Sequence, residues 1–201
     1  MNKKPRGYTT KLLAIDAETS GLFKRKDNPC VDLITKQYYQ AVSWGMAVVD
    51  TTTFDILDEL YLEIKWDGIS LWDNQAQSIH GLSKEYLETN GVSRSEAVEA
   101  IGNLIINHWG PDIPVYLMGH NPSFDLAFLK NDLRSEGLEV KFTHRMIDVN
   151  SVGFTVYNTY TSDELYELMG FPVRTKHNSL EDVKYAVNTL KITRKIADSY
   201  F

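Results

Sequence analysis

The hydrophobic pattern divides the chain into a group of strands followed by alternating helices and strands. Residues 12–15 (Leu-Leu-Ala-Ile) form an apolar run too short for a helix, and the pair Ser20-Gly21 marks the end of the segment. So dense a run predicts a strand covered on both faces, and therefore a central one. Residues 40–49 predict a second strand, with Gly45 as a candidate bulge. Residues 57–64 mix Leu57, Leu60, Leu62 and Ile64 with Asp58, Glu59 and Glu63, and predict a third. Residues 50–53 supply the turn between them, so these three strands form an antiparallel meander.

Beyond the meander the pattern changes. Residues 66–90 break into short pieces around Trp66, Trp72, Tyr86 and the turn His80-Gly81-Leu82. Val98, Ile101, Leu104 and Ile105 share one helical face, so a helix capped by Ser93 or Ser95 runs to about Trp109. Residues 114–118 predict a fourth strand. Asn121 and Pro122 read as the cap and first position of a helix that stops at Gly137. Residues 140–142 predict a short fifth strand and 148–156 a helix. Thr161 or Ser162 caps another helix ending at Gly170, and a last helix starts near Asn178 or Ser179. The sum is a single α/β domain over residues 1–201. Its mixed five-stranded sheet, three antiparallel strands plus parallel ones, is flanked by helices.

Composition then narrows the classes of function. Of 201 residues, 43% are hydrophobic and 24% charged, ordinary values for a globular protein. The apolar runs are too short to span a bilayer, and Met1-Asn2-Lys3-Lys4-Pro5-Arg6 leads into no signal-peptide core. The expectation is an intracellular, cytoplasmic protein without a membrane partner. The lone cysteine, Cys30, fits a reducing compartment and excludes an internal disulfide. A formal charge of −6 speaks against coating nucleic acid through bulk positive charge. It leaves room for an enzyme that meets phosphate through bound cations. Residues 3–10 read as a polar arm. The long connection 22–37 carries the triplet Lys24-Arg25-Lys26, which is either a phosphate contact or solvated surface.

Four acids and a histidine are the candidates for chemistry. Asp16 and Glu18 come directly after the first apolar run, and residues two apart on a strand share a face, roughly 7 Å from each other. Like charges so placed make sense around a cation, although carboxylates are also common at strand ends. Asp125 falls in the first turns of the helix after Asn121. Asp182 falls in the first turn of the last helix, and His177 lies in the loop before it. Singly, each acid is what a helix start attracts through its dipole.

Together, Asp16-Ala17-Glu18-Thr19, His120-Asn121-Pro122-Ser123-Phe124-Asp125, and His177 with Asp182 resemble the three motifs of the DEDDh exonuclease family. That family includes the proofreading subunit of bacterial replicative polymerases, ribonuclease T and oligoribonuclease. The resemblance runs from about Leu12 to Leu190 and departs in the length of the connection after Gly21. It implies a ribonuclease H-like fold and 3′-to-5′ removal of nucleoside 5′-monophosphates from single-stranded nucleic acid with a free 3′ end. It also implies that Asp16, Glu18, Asp125 and Asp182 hold two Mg²⁺ or Mn²⁺ ions, and that His177 serves as general base. Thr19, His80, Asn121 and Phe124 match family positions near the terminal nucleotide, and Phe124 reads equally as a core aromatic. Arg174 and Lys176 flank His177 and are either phosphate contacts or, by default, part of a solvated basic loop. The lean is toward DNA. The alternatives are an RNA-directed enzyme of the same family and a non-catalytic interaction module on the same fold. A replication or repair partner stays open.

Overall fold

A computed structural model describes residues 9–24 and 28–200. Five strands, β1 (Lys11–Thr19), β2 (Ala41–Asp50), β3 (Ile56–Glu63), β4 (Val115–Gly119) and β5 (Phe142–Asp148), make one sheet in the order β3-β2-β1-β4-β5. β1 is central, as its apolar density predicts. It pairs antiparallel with β2 and parallel with β4, and β5 adds to β4 in parallel. β1 extends beyond the apolar run, through Asp16 and Glu18 to Thr19. Both acids therefore stand on strand backbone. β5 begins at Phe142, where the sequence pattern ends its strand. It is an edge strand whose side chains are half-buried or exposed, so Thr143, His144 and Arg145 hide its periodicity.

The helices are α1 (Asn74–His80), α2 (Lys84–Asn90), α3 (Arg94–Trp109), α4 (Pro122–Ser135), α5 (Val149–Val152), α6 (Ser162–Leu168) and α7 (Ser179–Tyr200), with a π-helical turn at Gly153–Tyr157. α1 and α2 occupy the stretch that the pattern leaves in pieces. At seven residues each they are too short for a period to show, and they are set by the caps Asp73 and Ser83. Alternation along the sheet splits the core in two. Leu13, Ile15, Trp44 and Met46 face α3 and α4, against Ile101 and Leu129. Leu12, Ala14, Ala47 and Val49 face α7, against Val183, Ala186 and Val187. Asp16 and Glu18, in the same alternation as Leu12 and Ala14, fall on the α7 face. Among the described residues no helix is long and apolar enough to cross a membrane.

Two local expectations are corrected. Asn121 occupies the cap position of α4, but its backbone is left-handed at φ 62° and its side chain makes no capping bond. Its N–H instead donates to Asp148 Oδ1 at 2.9 Å, tying the start of α4 to the end of β5. Gly45 is not a bulge. It runs in register opposite Asp16 and Tyr61, and the irregularities fall at Glu18/Thr19 and Val48/Val49. Its lack of a side chain serves a close approach: a Cβ there would lie 2.2 Å from the Ser179 carbonyl carbon and 2.3 Å from the Leu180 nitrogen. The first turn of α7 rests directly on β2. Of the polar arm, residues 3–8 lie outside the described residues, as do Arg25 and Lys26 of the basic triplet.

Gly45→Ala tests this packing. Backbone cannot rotate out of the way as a side chain can, so α7 must shift, at a cost of about 1–3 kcal/mol. Thermal unfolding should show a clearly lower midpoint. A midpoint equal to wild type would mean that α7 retreats from β2 without loss.

Candidate active site

Three element ends deliver the acids to one place. β1 carries Asp16 and Glu18. α4 carries Asp125, whose Oδ1 accepts the Ala17 N–H at 3.0 Å and so fixes the start of α4 to the end of β1. α7 carries Asp182. Its start is capped by Asn178, whose side-chain oxygen accepts the N–H groups of Leu180 and Glu181, both at 3.1 Å. The loop before α7 is tied to the end of α1. His177 N–H donates to the Ile79 carbonyl at 3.1 Å, and Lys176 Nζ donates to the Ser78 carbonyl at 2.6 Å. His177, Glu18 and Asp182 each bring one ligand atom to within 4.8 Å of the others. Asp16, Glu18, His177, Asp182 and Arg174 line a common cavity of about 170 Å³.

The electrostatics are those of crowded acids held out of water. Burial, then the neighbouring acids, pushes Asp16 well above the usual carboxylate range. Burial also raises Asp125, against the backbone N–H bonds it accepts. Glu18 is pushed up to about 8 by burial and by Asp182, with Arg174 easing it. Asp182 is raised by burial while Arg174 opposes the shift. Glu18 Oε1 is buried without a hydrogen-bond partner, a cost that a native site normally offsets. Oxygen ligands that repel one another, one of them unpaired, fit a hard divalent cation such as Mg²⁺ or Mn²⁺. His177 is lowered by burial first and by Arg174 second, against Asp182 and Asp163. Its imidazole is therefore neutral near neutral pH.

A second cavity, about 250 Å³, opens on the other side of Glu18 and is lined by Thr19, Leu22, Ile79, His80 and Phe124. Thr19, His80 and Phe124 thus meet at one place, whereas Asn121 stands exposed at the entry of α4. His80 is buried and pushed down to about 4, chiefly by that burial. Its Nδ1 accepts the Leu82 N–H at 3.0 Å, so the neutral ring carries its proton on Nε2. Phe124 is half-buried and packs on Phe128 at a centroid distance of 5.1 Å, so it is both core and cavity wall. Lys24 also lines this cavity.

Arg174 overturns its default as solvated surface. Its side chain is only 4% exposed and its guanidinium bonds Asp182 Oδ1 at 2.5 Å. Ser162 Oγ at 2.9 Å and the Asp163 carboxylate hold the other side of the fork. The available signal was the charge balance: four converging acids require a cation, and Arg174 is three residues from the motif histidine.

The sheet order, the antiparallel β1–β3 and the parallel β4 and β5, with helices on both faces, define a ribonuclease H-like fold. Among solved structures the chain is similar to Escherichia coli exonuclease I. Against its zinc-bound complex with single-stranded DNA the TM-score is 0.73 at 15% identity, covering 93% of this chain and 41% of that one. Against its complex with a dT13 oligonucleotide the TM-score is 0.74 at 15% identity, covering 92% and 41%. The chain thus spans well under half the length of those proteins. No protein-family model and no curated protein matches the sequence.

The raised acids make the metal-free protein pH-sensitive. A carboxyl whose folded pKa is raised favours folding below its unfolded value, and that contribution is lost as pH climbs through the folded one. For Glu18 the window runs from 4.5 to about 8. In chelator, the unfolding midpoint of the wild type should fall between pH 5 and pH 9, by on the order of 5 °C. Glu18→Gln should fall less, and Mn²⁺ should restore the wild type at pH 9. Identical pH dependence in the two proteins would place Glu18 outside the crowded cluster.

Proposed function

We propose that this chain is a metal-dependent 3′-to-5′ exonuclease acting on single-stranded nucleic acid, with DNA as the favoured substrate. One observation carries the reading. Acids from three separate element ends, Asp16 and Glu18 of β1, Asp125 of α4 and Asp182 of α7, converge beside a neutral histidine. A fold needs none of these charges at that place, and together they cost stability. The likeness to exonuclease I structures solved with single-stranded DNA supports the choice of substrate.

Asp16, Glu18, Asp125 and Asp182 hold the divalent ions. When bound, these supply Lewis-acid stabilisation of an in-line displacement at phosphorus and ease deprotonation of water. The protein's own residues do the rest. His177, held by Ile79 and kept neutral, accepts the proton of the attacking water. The cavity of Thr19, Leu22, Ile79, His80 and Phe124 receives the terminal nucleoside, with Phe124 offering a ring to the base. His80 stays neutral throughout the working range and presents a fixed tautomer, so it orients the nucleotide and moves no proton. A terminal base must leave its stack to enter, which favours single strands. We place the protein inside the cell, in keeping with its substrate.

Strands labelled at either end, of DNA and of RNA, test the reading. DNA should shorten from its free 3′ end and release nucleoside 5′-monophosphates. EDTA should stop the reaction, and Mg²⁺ or Mn²⁺ should restart it. Undiminished hydrolysis in excess chelator, or early internal fragments from a circular strand, would defeat the proposal. Faster loss of RNA would reassign the substrate.

His177→Ala should lower kcat on the order of 10²–10⁴-fold with little change in substrate affinity. The wild-type rate should rise with pH as the imidazole loses its proton, with a midpoint below the ordinary histidine value. That ionisation should vanish from the variant's profile. An unchanged profile would remove His177 from the proton transfer.

A further inference from the structure

Arg174 lies in the loop between α6 and α7, yet it is one of the most enclosed charges of the site. Its fork spans two elements. On the α6 side it donates to Ser162 Oγ at 2.9 Å and to the Asp163 carboxylate. On the α7 side it donates to Asp182 Oδ1 at 2.5 Å. Its Cζ lies over the ring of Tyr166, 4.9 Å from the centroid, and the Tyr166 hydroxyl donates to the Asp182 carbonyl at 3.4 Å. The position is therefore built, with both terminal nitrogens of the guanidinium bonded and its carbon over an aromatic ring.

Arg174 holds one of the two oxygens that Asp182 can offer to a metal ion. Asp182 Oδ2 is 3.7 Å from His177 Nδ1, and Oδ1 belongs to Arg174. Glu18, facing the same cavity, has Oε1 buried and unpaired. A divalent ion between Glu18 and Asp182 meets a monovalent cation already seated on one of its ligands. A charge of +1 a few ångström from a charge of +2 opposes its binding strongly, even in a polar site.

We propose that Arg174 is the resident counter-cation of the site. It holds Asp182 while no metal ion is bound and competes with the ion for Asp182 Oδ1. Once it has yielded that oxygen, it stays anchored on Ser162 and Asp163, where its freed N–H groups meet the phosphate of the substrate. The inference rests on the exonuclease reading and adds a residue to it. Arg174 suits the exchange because its five donors leave it bonded after one partner departs. A lysine in its place could not span the three acceptors.

Mn²⁺ binding to the chelator-stripped protein, followed by calorimetry or by the loss of the free-ion EPR signal, is the test. Arg174→Met keeps the apolar stem against Tyr166 and removes the charge. Its Mn²⁺ affinity should rise at least about ten-fold over wild type. Without metal its melting point should fall, because four acids lose their cation, and Mn²⁺ should restore it. On a single-stranded oligonucleotide its KM should rise, because a phosphate contact is gone. If Arg174→Met does not fold without metal, Arg174→Gln, which can still hydrogen-bond Asp182 and Ser162, should show the same gain in affinity. Unchanged or weaker Mn²⁺ binding in the folded variants would overturn the proposal, since removing a cation that competes for Asp182 must tighten metal binding. A wild type that binds no Mn²⁺ would overturn the exonuclease reading, and this inference with it.

Discussion

Four crowded carboxylates, Glu18, Asp125 and Asp182 buried and Asp16 half-buried, set the terms for the structure around them. Each is more easily protonated than it would be in solvent, and burial is the first cause in every case. Such a cluster can persist only if the surrounding fold keeps the acids close and supplies partial positive charge. The surroundings do both. The Ala17 N–H serves Asp125. Asp182 sits where the dipole of α7 favours an anion. Arg174 supplies the full charge, and it does so from a loop that α6 has to pin from outside.

The fold delivers the acids by backbone contact rather than by side-chain adjustment. Gly45 lets the first turn of α7 lie on β2 directly across from Asp16. That contact, with the Asn178 cap, decides where Asp182 points. A helix held by side chains alone could slide by a fraction of a turn without large loss. A helix whose peptide groups touch the sheet cannot, because interiors are close-packed and backbone has no alternative rotamer. The precision that a charged site needs is thus drawn from the least adaptable part of the chain.

The strongest local signals in the sequence were the ones tied to burial. Leu12, Leu13, Ala14 and Ile15 alternate between the two cores, and the density of that run alone marks β1 as central. The four acids and the histidine were singled out by their likeness to a known motif order, and the structure brings them together at the ends of β1, α4 and α7. What escaped was set by tertiary contact. Gly45 reads as a bulge when only strand propensity is considered, since nothing in β2 reveals that a helix start will press on it. α1 and α2 are defined by their caps and are too short to carry a period. β5 lies at an edge, so its polar residues carry no alternation. Arg174 looked like loop surface because its three partners are scattered over Ser162, Asp163 and Asp182.

The two histidines beside Glu18 sit in contrasting electrostatic environments. Both are neutral, but for different reasons. His80 is neutral through burial, which takes it to about 4 and leaves it unable to gain a proton near neutrality. Its ring is also fixed by the Leu82 N–H, so it has one donor and no freedom. His177 is half-buried and its proton affinity is a balance, with burial and Arg174 on one side and Asp182 and Asp163 on the other. A group in balance responds when a neighbouring charge moves. Its base strength is therefore coupled to the charge state of Asp182 and to the position of Arg174, whereas His80 is insulated from both. On the proposed reading, the balanced environment of His177 suits a proton acceptor, and the insulated one of His80 suits a steric and hydrogen-bonding guide.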